Sequence, residues 1–233
     1  MTAPGFVRRR IPGGGAWKVD SESIMQLNPP RRDLRPWFQT LDDLDGPIDW
    51  RRLFGNDNPV ELDVGCGRGL FLFNESLARP DRNFVGIEID YKEGRRAAAR
   101  LKKRQAANAI VIGGDVRQAF AKFVPQRSVA VVHVYFPDPW WKRKHRKRRV
   151  FTDEFVDSVV GILSPGGELS FATDVGDYFE IVRSLMDHDP RFEPLPPPAE
   201  HVPEHDMDYL TSYERKARQR GEPIGRGRWK LLA

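Results

Sequence analysis

Glu61-Leu62-Asp63-Val64-Gly65-Cys66-Gly67-Arg68-Gly69 closes an apolar run that starts at Val60 and opens a stretch of helical composition near Leu70. A strand, a glycine turn and a helix in that order let the backbone approach a nucleotide-like ligand at a helix N-terminus. The glycines fall as G-x-G-x-G, with Leu70 where a dinucleotide fingerprint needs its third glycine, which weakens a nicotinamide dehydrogenase reading. The plainer alternative is a glycine turn that binds nothing.

Working outward, short apolar runs recur at Phe84 to Ile89, Ala109 to Ile112 and Val129 to Phe136, separated by longer charged stretches. Lys92 to Ala107 is rich in the helix formers Ala, Arg and Lys. Gly113-Gly114 and Ser164-Pro165-Gly166-Gly167 punctuate element ends, Glu168 to Ala172 reads as a further strand, and Asp177 to Met186 as a helix. A proline-rich connection with Pro194, Pro196, Pro197 and Pro198 follows, and Trp229 to Leu232 could supply a last strand. This alternation predicts an α/β, Rossmann-like domain over 58–233, with a mostly parallel sheet and helices on both faces. Residues 1–57 mix Gly, Pro and Arg with isolated aromatics and read as an irregular, partly mobile arm.

Three acids end three successive strands. Asp63 would lie near the amino and carboxyl groups of an amino-acid-bearing cofactor such as S-adenosyl-L-methionine, whereas a pyrophosphate would not want that carboxylate. Glu88, nineteen residues after Gly69, is placed to accept both ribose hydroxyls. Asp115 would meet the adenine amino group. Their plainer alternatives are a surface carboxylate for Glu88 and a helix N-cap for Asp115, as for Asp90 beside Tyr91.

The fourth apolar run leads into Tyr135-Phe136-Pro137-Asp138-Pro139-Trp140-Trp141, after which seven of the eight residues from Lys142 to Arg149 are Lys or Arg. Asp138, held between two prolines at the C-terminal edge of the sheet, is the catalytic candidate. The tryptophans offer stacking surfaces and the cations suit a phosphate backbone, against the alternative of core aromatics beside a solvated face.

Over 233 residues with 39% hydrophobic content, one sizeable core is expected. The net charge of +5 is unevenly placed, which favours a polyanionic partner. Cys66 is the only cysteine, so the sequence holds no intrachain disulfide and no cysteine cluster for zinc, and a reducing cytoplasm is expected. No run approaches the roughly 18 apolar residues of a membrane helix, and the arginines at Arg8 to Arg10 precede glycines rather than the apolar stretch of a signal peptide. His201 and His205 are four apart, but Pro203 between them argues against one helix presenting both to a metal; no metal is expected.

From Phe136-Pro137-Asp138-Pro139-Trp140 and Lys142, with Ala172-Thr173-Asp174 and Thr211-Ser212-Tyr213-Glu214-Arg215-Lys216 further on, the chain resembles the bacterial tRNA (guanine-N7-)-methyltransferases. The resemblance runs from about Phe6 to the C-terminus. It implies a class I methyltransferase fold, S-adenosyl-L-methionine as cofactor, tRNA as partner and the variable-loop guanine at position 46 as acceptor. Carried over, Asp63, Glu88, Asp115 and Asp138 fall on cofactor-binding positions, beside the glycines Gly65, Gly67 and Gly69 read above. Lys142, Asp174 and Thr211, Ser212, Tyr213 and Glu214 fall on substrate-binding positions, and Asp138 on that of the catalytic acid. The family more often has Glu at Asp63, an aromatic at Cys66 and a polar residue at Trp141. Thr211-x-x-Glu214 is also a capping box, and Asp174 could cap the helix after it. A non-catalytic RNA-binding protein and a small-molecule methyltransferase are the alternative functions; monomer and homodimer both stay open.

Overall fold

The computed structural model describes residues 33–140, 149–198, 202–205 and 208–232, so Arg8 to Arg10, Lys142 and His201 lie outside the described residues. Leu34 onward forms one compact unit. Its strands are β1 (Phe38–Thr40), β2 (Val60–Val64), β3 (Asn83–Glu88), β4 (Ala109–Gly113), β5 (Val129–Tyr135), β6 (Leu163–Thr173), β7 (Phe192–Leu195) and β8 (Gly225–Leu231). The helices are α1 (Trp50–Phe54), α2 (Leu70–Ala78), α3 (Tyr91–Arg104), α4 (Val116–Lys122), α5 (Asp153–Ile162), α6 (Gly176–Asp187) and α7 (Ser212–Gln219).

The strands form one sheet in the order β1-β4-β3-β2-β5-β6-β8-β7, parallel from β1 to β6 and antiparallel at β8 and β7. The order reverses between β2 and β5, the switch point beside which open α/β sheets bind ligands at their carboxyl ends. Side chains alternate across the sheet. Val60, Leu62 and Val64 with Val85, Ile87, Ile110 and Ile112 pack under α4, α5 and α6, while Phe84, Ala109 and Val111 pack under α2 and α3. Fully buried side chains such as Leu62 and Leu101 each contribute about 1.5–3 kcal/mol of transfer free energy.

Pro194, read in a proline-rich connection, instead lies in the edge strand β7 opposite Trp229, and two larger features depart from the sequence reading. Residues 34–57, read as part of an irregular arm, hold β1 and α1 and give Phe38, Leu41 and Ile48 to the core. The reason is long-range. Phe38 and Leu41 seat on Gly113 and Gly114, where an added Cβ would stand 3.0 Å from Phe38 Cζ and 2.4 Å from Leu41 Cδ1. The Trp37 and Trp50 indole N–H groups donate to Ala106 O at 2.8 Å and Ser128 Oγ at 2.9 Å. The second departure is at Ser164-Pro165-Gly166-Gly167, which is absorbed into β6 as a bulge rather than preceding it. Val129 pairs with Leu163 and Val131 with Glu168, and Gly166 turns the excess chain with φ of +74°.

Candidate active site

The glycine loop after β2 is held in left-handed backbone, with φ of +73° at Gly65, +52° at Gly67 and +66° at Gly69, a region that favours glycine. Gly69 also lets α2 approach α3, because a Cβ there would sit 2.7 Å from Ala97 Cβ. Gly69 is the N-cap of α2 and brings no side chain to the helix's first N–H groups. Those donors, with the helix dipole, point at the loop and suit a carboxylate. Cys66 tucks under the loop against Gly86, where an added Cβ would lie 2.6 Å from its Sγ. An aromatic at position 66 would not fit this packing.

A cavity of about 390 Å³ opens at this loop, lined by Asp63, Gly65, Cys66, Gly67, Arg68 and Phe71 on one side and by Thr211, Ser212, Tyr213, Arg215 and Lys216 of α7 on the other, with Tyr135 between. Two motifs some 140 residues apart in the chain thus share one wall. Asp63 is 4% exposed, and its carboxylate accepts no hydrogen bond among the described residues. Burial, with the Glu88 charge adding to it, pushes its pKa up to about 8. Such an acceptor fits a cationic amine.

Glu88 stands behind the loop rather than in the cavity wall. Gly67 N–H donates to its Oε2 and Asp90 N–H to its Oε1, each at 2.8 Å, so it braces the glycine turn. Each oxygen retains a lone pair for a ribose hydroxyl, and burial raises the carboxyl's pKa. Asp90 caps α3 and Asp115 caps α4, with Arg117 N–H donating to Asp115 Oδ1 at 2.8 Å. The cap uses one oxygen of an exposed carboxylate at the end of β4.

Asp138 is exposed in the loop after β5. Two of its non-glycine residues have positive φ, Phe136 at +52° and Trp140 at +42°. Strain of this kind persists where the surroundings fix it. Phe136 N–H donates to Ala172 O at 2.7 Å, and its ring stacks on Tyr213 at 6.5 Å. Arg149 Nε donates to Pro139 O at 2.8 Å. Tyr135 pairs with Ala172, so the segments that carry Asp138 and Asp174 leave adjacent parallel strands at the same edge of the sheet.

Asp174 does not cap α6, whose N-cap is Val175, and instead meets Arg220 Nη2 at 3.2 Å. Thr211 caps α7, accepting from Glu214 N–H at 3.0 Å. The return arm of the capping box differs from the sequence pattern, because Glu214 Oε2 accepts from Leu210 N–H rather than Thr211 N–H. Its Oε1 accepts from Arg218 at 3.0 Å and Arg226 at 2.7 Å, tying α7 to β8. Buried and bonded in this way, Glu214 lines a neighbouring cavity with Arg226 and Phe71, while Thr211, Ser212 and Tyr213 face the glycine loop.

Tyr135, Arg68 and Ile89 carry no site role in the sequence reading. Ile89 is 68% exposed between two acids at the end of β3, an apolar residue where a solvated turn would be polar, and that oddity was legible. Tyr135 was not, because its role comes from its neighbours. Its hydroxyl meets His133 Nδ1 at 2.8 Å and Ser170 Oγ at 3.1 Å, and His133 Nε2 meets Glu61 Oε2 at 2.8 Å. Two Arg79 nitrogens reach Glu61 at 2.8 and 2.9 Å.

Among the described residues no group of three or more His, Cys, Asp or Glu side chains could hold a metal ion, and no helix is long and apolar enough to cross a membrane.

The sheet order, the glycine loop and the cavity at the switch point define the fold class of S-adenosylmethionine-dependent methyltransferases. The same fold is found in a variant of the 16S rRNA (adenine(1408)-N(1))-methyltransferase from Catenulisporales acidiphilia, with TM-score 0.55 and 17% identity over 80% of this chain and 92% of that one. A SAM-dependent methyltransferase from Aquifex aeolicus gives 0.50 and 14% over 93% and 100%. Residues 57–226 match the family described as "Putative methyltransferase". The tRNA (guanine-N(7)-)-methyltransferase of Rhodopirellula baltica is 44% identical over 84% of this chain and 75% of its own. That of Colwellia psychrerythraea is 35% identical over 88% and 83%. The chain belongs to the tRNA (guanine-N7-)-methyltransferase family.

Proposed function

We propose that this chain transfers the methyl group of S-adenosyl-L-methionine to N7 of a tRNA guanine, the one at position 46 of the variable loop. The observation that carries the reading is the cavity in which Asp63 and the glycine loop face Thr211, Ser212 and Tyr213: the family's cofactor motif and its substrate motif meet there.

The residues fit the cofactor. Asp63 has a buried acceptor suited to its ammonium group, the α2 N-terminus suits its carboxylate, Glu88 suits the ribose hydroxyls and Asp115 the adenine amino group, with exposed Ile89 giving apolar surface to the base. When bound, S-adenosyl-L-methionine supplies an electrophilic methyl group on a positively charged sulfur. Guanine N7 carries an in-plane lone pair, so this chain has no proton to remove first and acts chiefly by alignment. Asp138 and Asp174 accept from guanine N1–H and N2–H, which selects guanine and stabilises the positive charge growing on its ring. Lys142 and the cations after it hold phosphates. Such an enzyme works where tRNA is made and matured, the cytoplasm.

The test is transfer from labelled S-adenosyl-L-methionine to unmodified tRNA, followed by digestion to nucleosides. Labelled 7-methylguanosine from the variable loop is the expected product; label in another nucleoside, or none, overturns the reading. Asp138→Asn is expected to slow single-turnover transfer by about 10²-fold or more at saturating tRNA and cofactor, and near-wild-type transfer would remove Asp138 from the chemistry.

A further inference from the structure

Helix α3 carries seven Lys and Arg residues against a single carboxylate, Glu93. Its inner face, Gly94, Ala97, Ala98 and Leu101, is buried, and the small residues among these let it lie close to the sheet. The outer face is cationic. Glu93 is already engaged by Arg68 at 2.8 Å and by Arg96. Among the described residues no acid meets Lys92, Arg100, Lys103 or Arg104.

Arg100 and Arg104 converge on one ring, their guanidinium carbons 5.9 and 5.5 Å from the centre of Phe73. Arg100 Nη1 is buried and has no hydrogen-bond partner among the described residues. Burial, with the Arg68 charge adding to it, pushes the Arg100 pKa down. Like charges at i,i+4, as at Arg96, Arg100 and Arg104, destabilise a helix, and a half-buried cation without an anion costs more than an exposed one. The protein maintains an arrangement that an external anion would relieve.

We infer that the outer face of α3, from Lys92 to Arg104, is a second RNA-backbone contact surface, separate from the cationic loop at 142–149 and continuous through Arg68 with the lip of the cofactor cavity. The inference rests on the reading of tRNA as substrate. A helix of fourteen residues is roughly 20 Å long, which suits a run of phosphates rather than one small anion. A membrane-surface helix would add a row of large apolar residues beside its cations, whereas the uncharged residues outside the buried face are Ala99 and, at the first position, Tyr91. Helix α3 joins β3 to β4, whereas the run at 142–149 follows β5 in the chain, so the two lie on opposite sides of the switch point in the strand order.

The full chain carrying R100Q/K103Q/R104Q is compared with wild type and with a charge-matched control on α1, α4 and α6, R52Q/K122Q/R183Q. Expected for the α3 variant is tRNA affinity weakened about tenfold or more, with the slope of log K against log salt reduced by about two. Its affinity for S-adenosyl-L-methionine and its kcat at saturating tRNA should hold, and the control should match wild type. Because Arg100 is half-buried, K103E/R104E repeats the measurement at two exposed positions. Unchanged affinity and salt slope in both α3 variants overturn the inference, as does an equal loss in the control. So does a loss of binding to anionic vesicles alone, with RNA binding intact. A wild type that binds RNA without methylating tRNA defeats the functional reading only, since the slopes on that RNA still decide the surface.

Discussion

Asp63 is the residue on which the proposed cofactor binding and stability pull in opposite directions. Its folded pKa of about 8 lies above the ordinary 3.8, so between those values the unfolded chain has released a proton that the folded one retains. Stability is therefore full below about pH 4 and is lost as pH rises towards 8. Asp63→Asn removes that loss. Thermal melts without cofactor should show the variant more stable than wild type at pH 7.5 and close to it at pH 4. Under the proposed function the same substitution puts a neutral amide where a carboxylate would face the cofactor's ammonium group, so affinity for S-adenosyl-L-methionine should fall by tenfold or more; a variant that binds normally would mean Asp63 faces something else. Glu61 is the opposite case. Burial alone would raise its pKa, but His133 and Arg79 outweigh burial and hold it below the ordinary value. Glu61→Gln removes the buried carboxylate charge that faces His133 and Arg79, leaving Arg79 only Glu75 as an anionic partner, and should cost about 3 kcal/mol, read as a lower denaturant midpoint, with Tyr135 loosened at the cavity wall.

Among the elements, α7 is the one whose stability most directly becomes function. Eight residues form a marginal helix, and this one is fixed by the Thr211 cap at one end and by Glu214 to Arg226 of β8 on its inner side. Its first turn is the far wall of the cavity. Thr211→Ala should cost about 1 kcal/mol and raise KM several-fold, while Thr211→Ser, which restores the acceptor, should recover both. If KM rises with Ser as well, the threonine methyl or a direct substrate contact matters rather than the cap. The capping-box signature was visible in the sequence; its return arm was not, because Leu210 and Thr211 N–H groups are neighbours and backbone geometry alone chose between them.

At the scale of the molecule, residues 34–57 are part of the fold and not an appendage to it. Besides the seats of Phe38 and Leu41, Ile48 N–H donates to Phe123 O at 2.7 Å. A chain cut to 58–233 should lose cooperative unfolding and bind a hydrophobic dye, because it exposes Gly113, Gly114 and the surfaces beneath Leu41 and Ile48. A sharp transition from that fragment would show instead that the segment only docks. The segment reads as irregular in the sequence because its apolar residues have no period of their own. They are spaced to meet the glycines at the end of β4, some seventy residues on, and such spacing has no local signature.

By itself the sequence determined what depends on near neighbours. Short apolar runs between charged stretches gave the strands, G-x-G-x-G gave a turn that favours glycine, and acids at strand ends fell at the carboxyl edge because a parallel sheet puts every strand end there. Tertiary structure alone decided what depends on pairing across the sheet. It put Thr211, Ser212 and Tyr213 opposite Asp63, turned Glu214 into a tie to β8, and set Glu88 to brace Gly67. It also linked Glu61 to Tyr135 through His133, seventy-two residues from Glu61. These contacts are set by strand order and register, to which the local periodicity of the chain is blind.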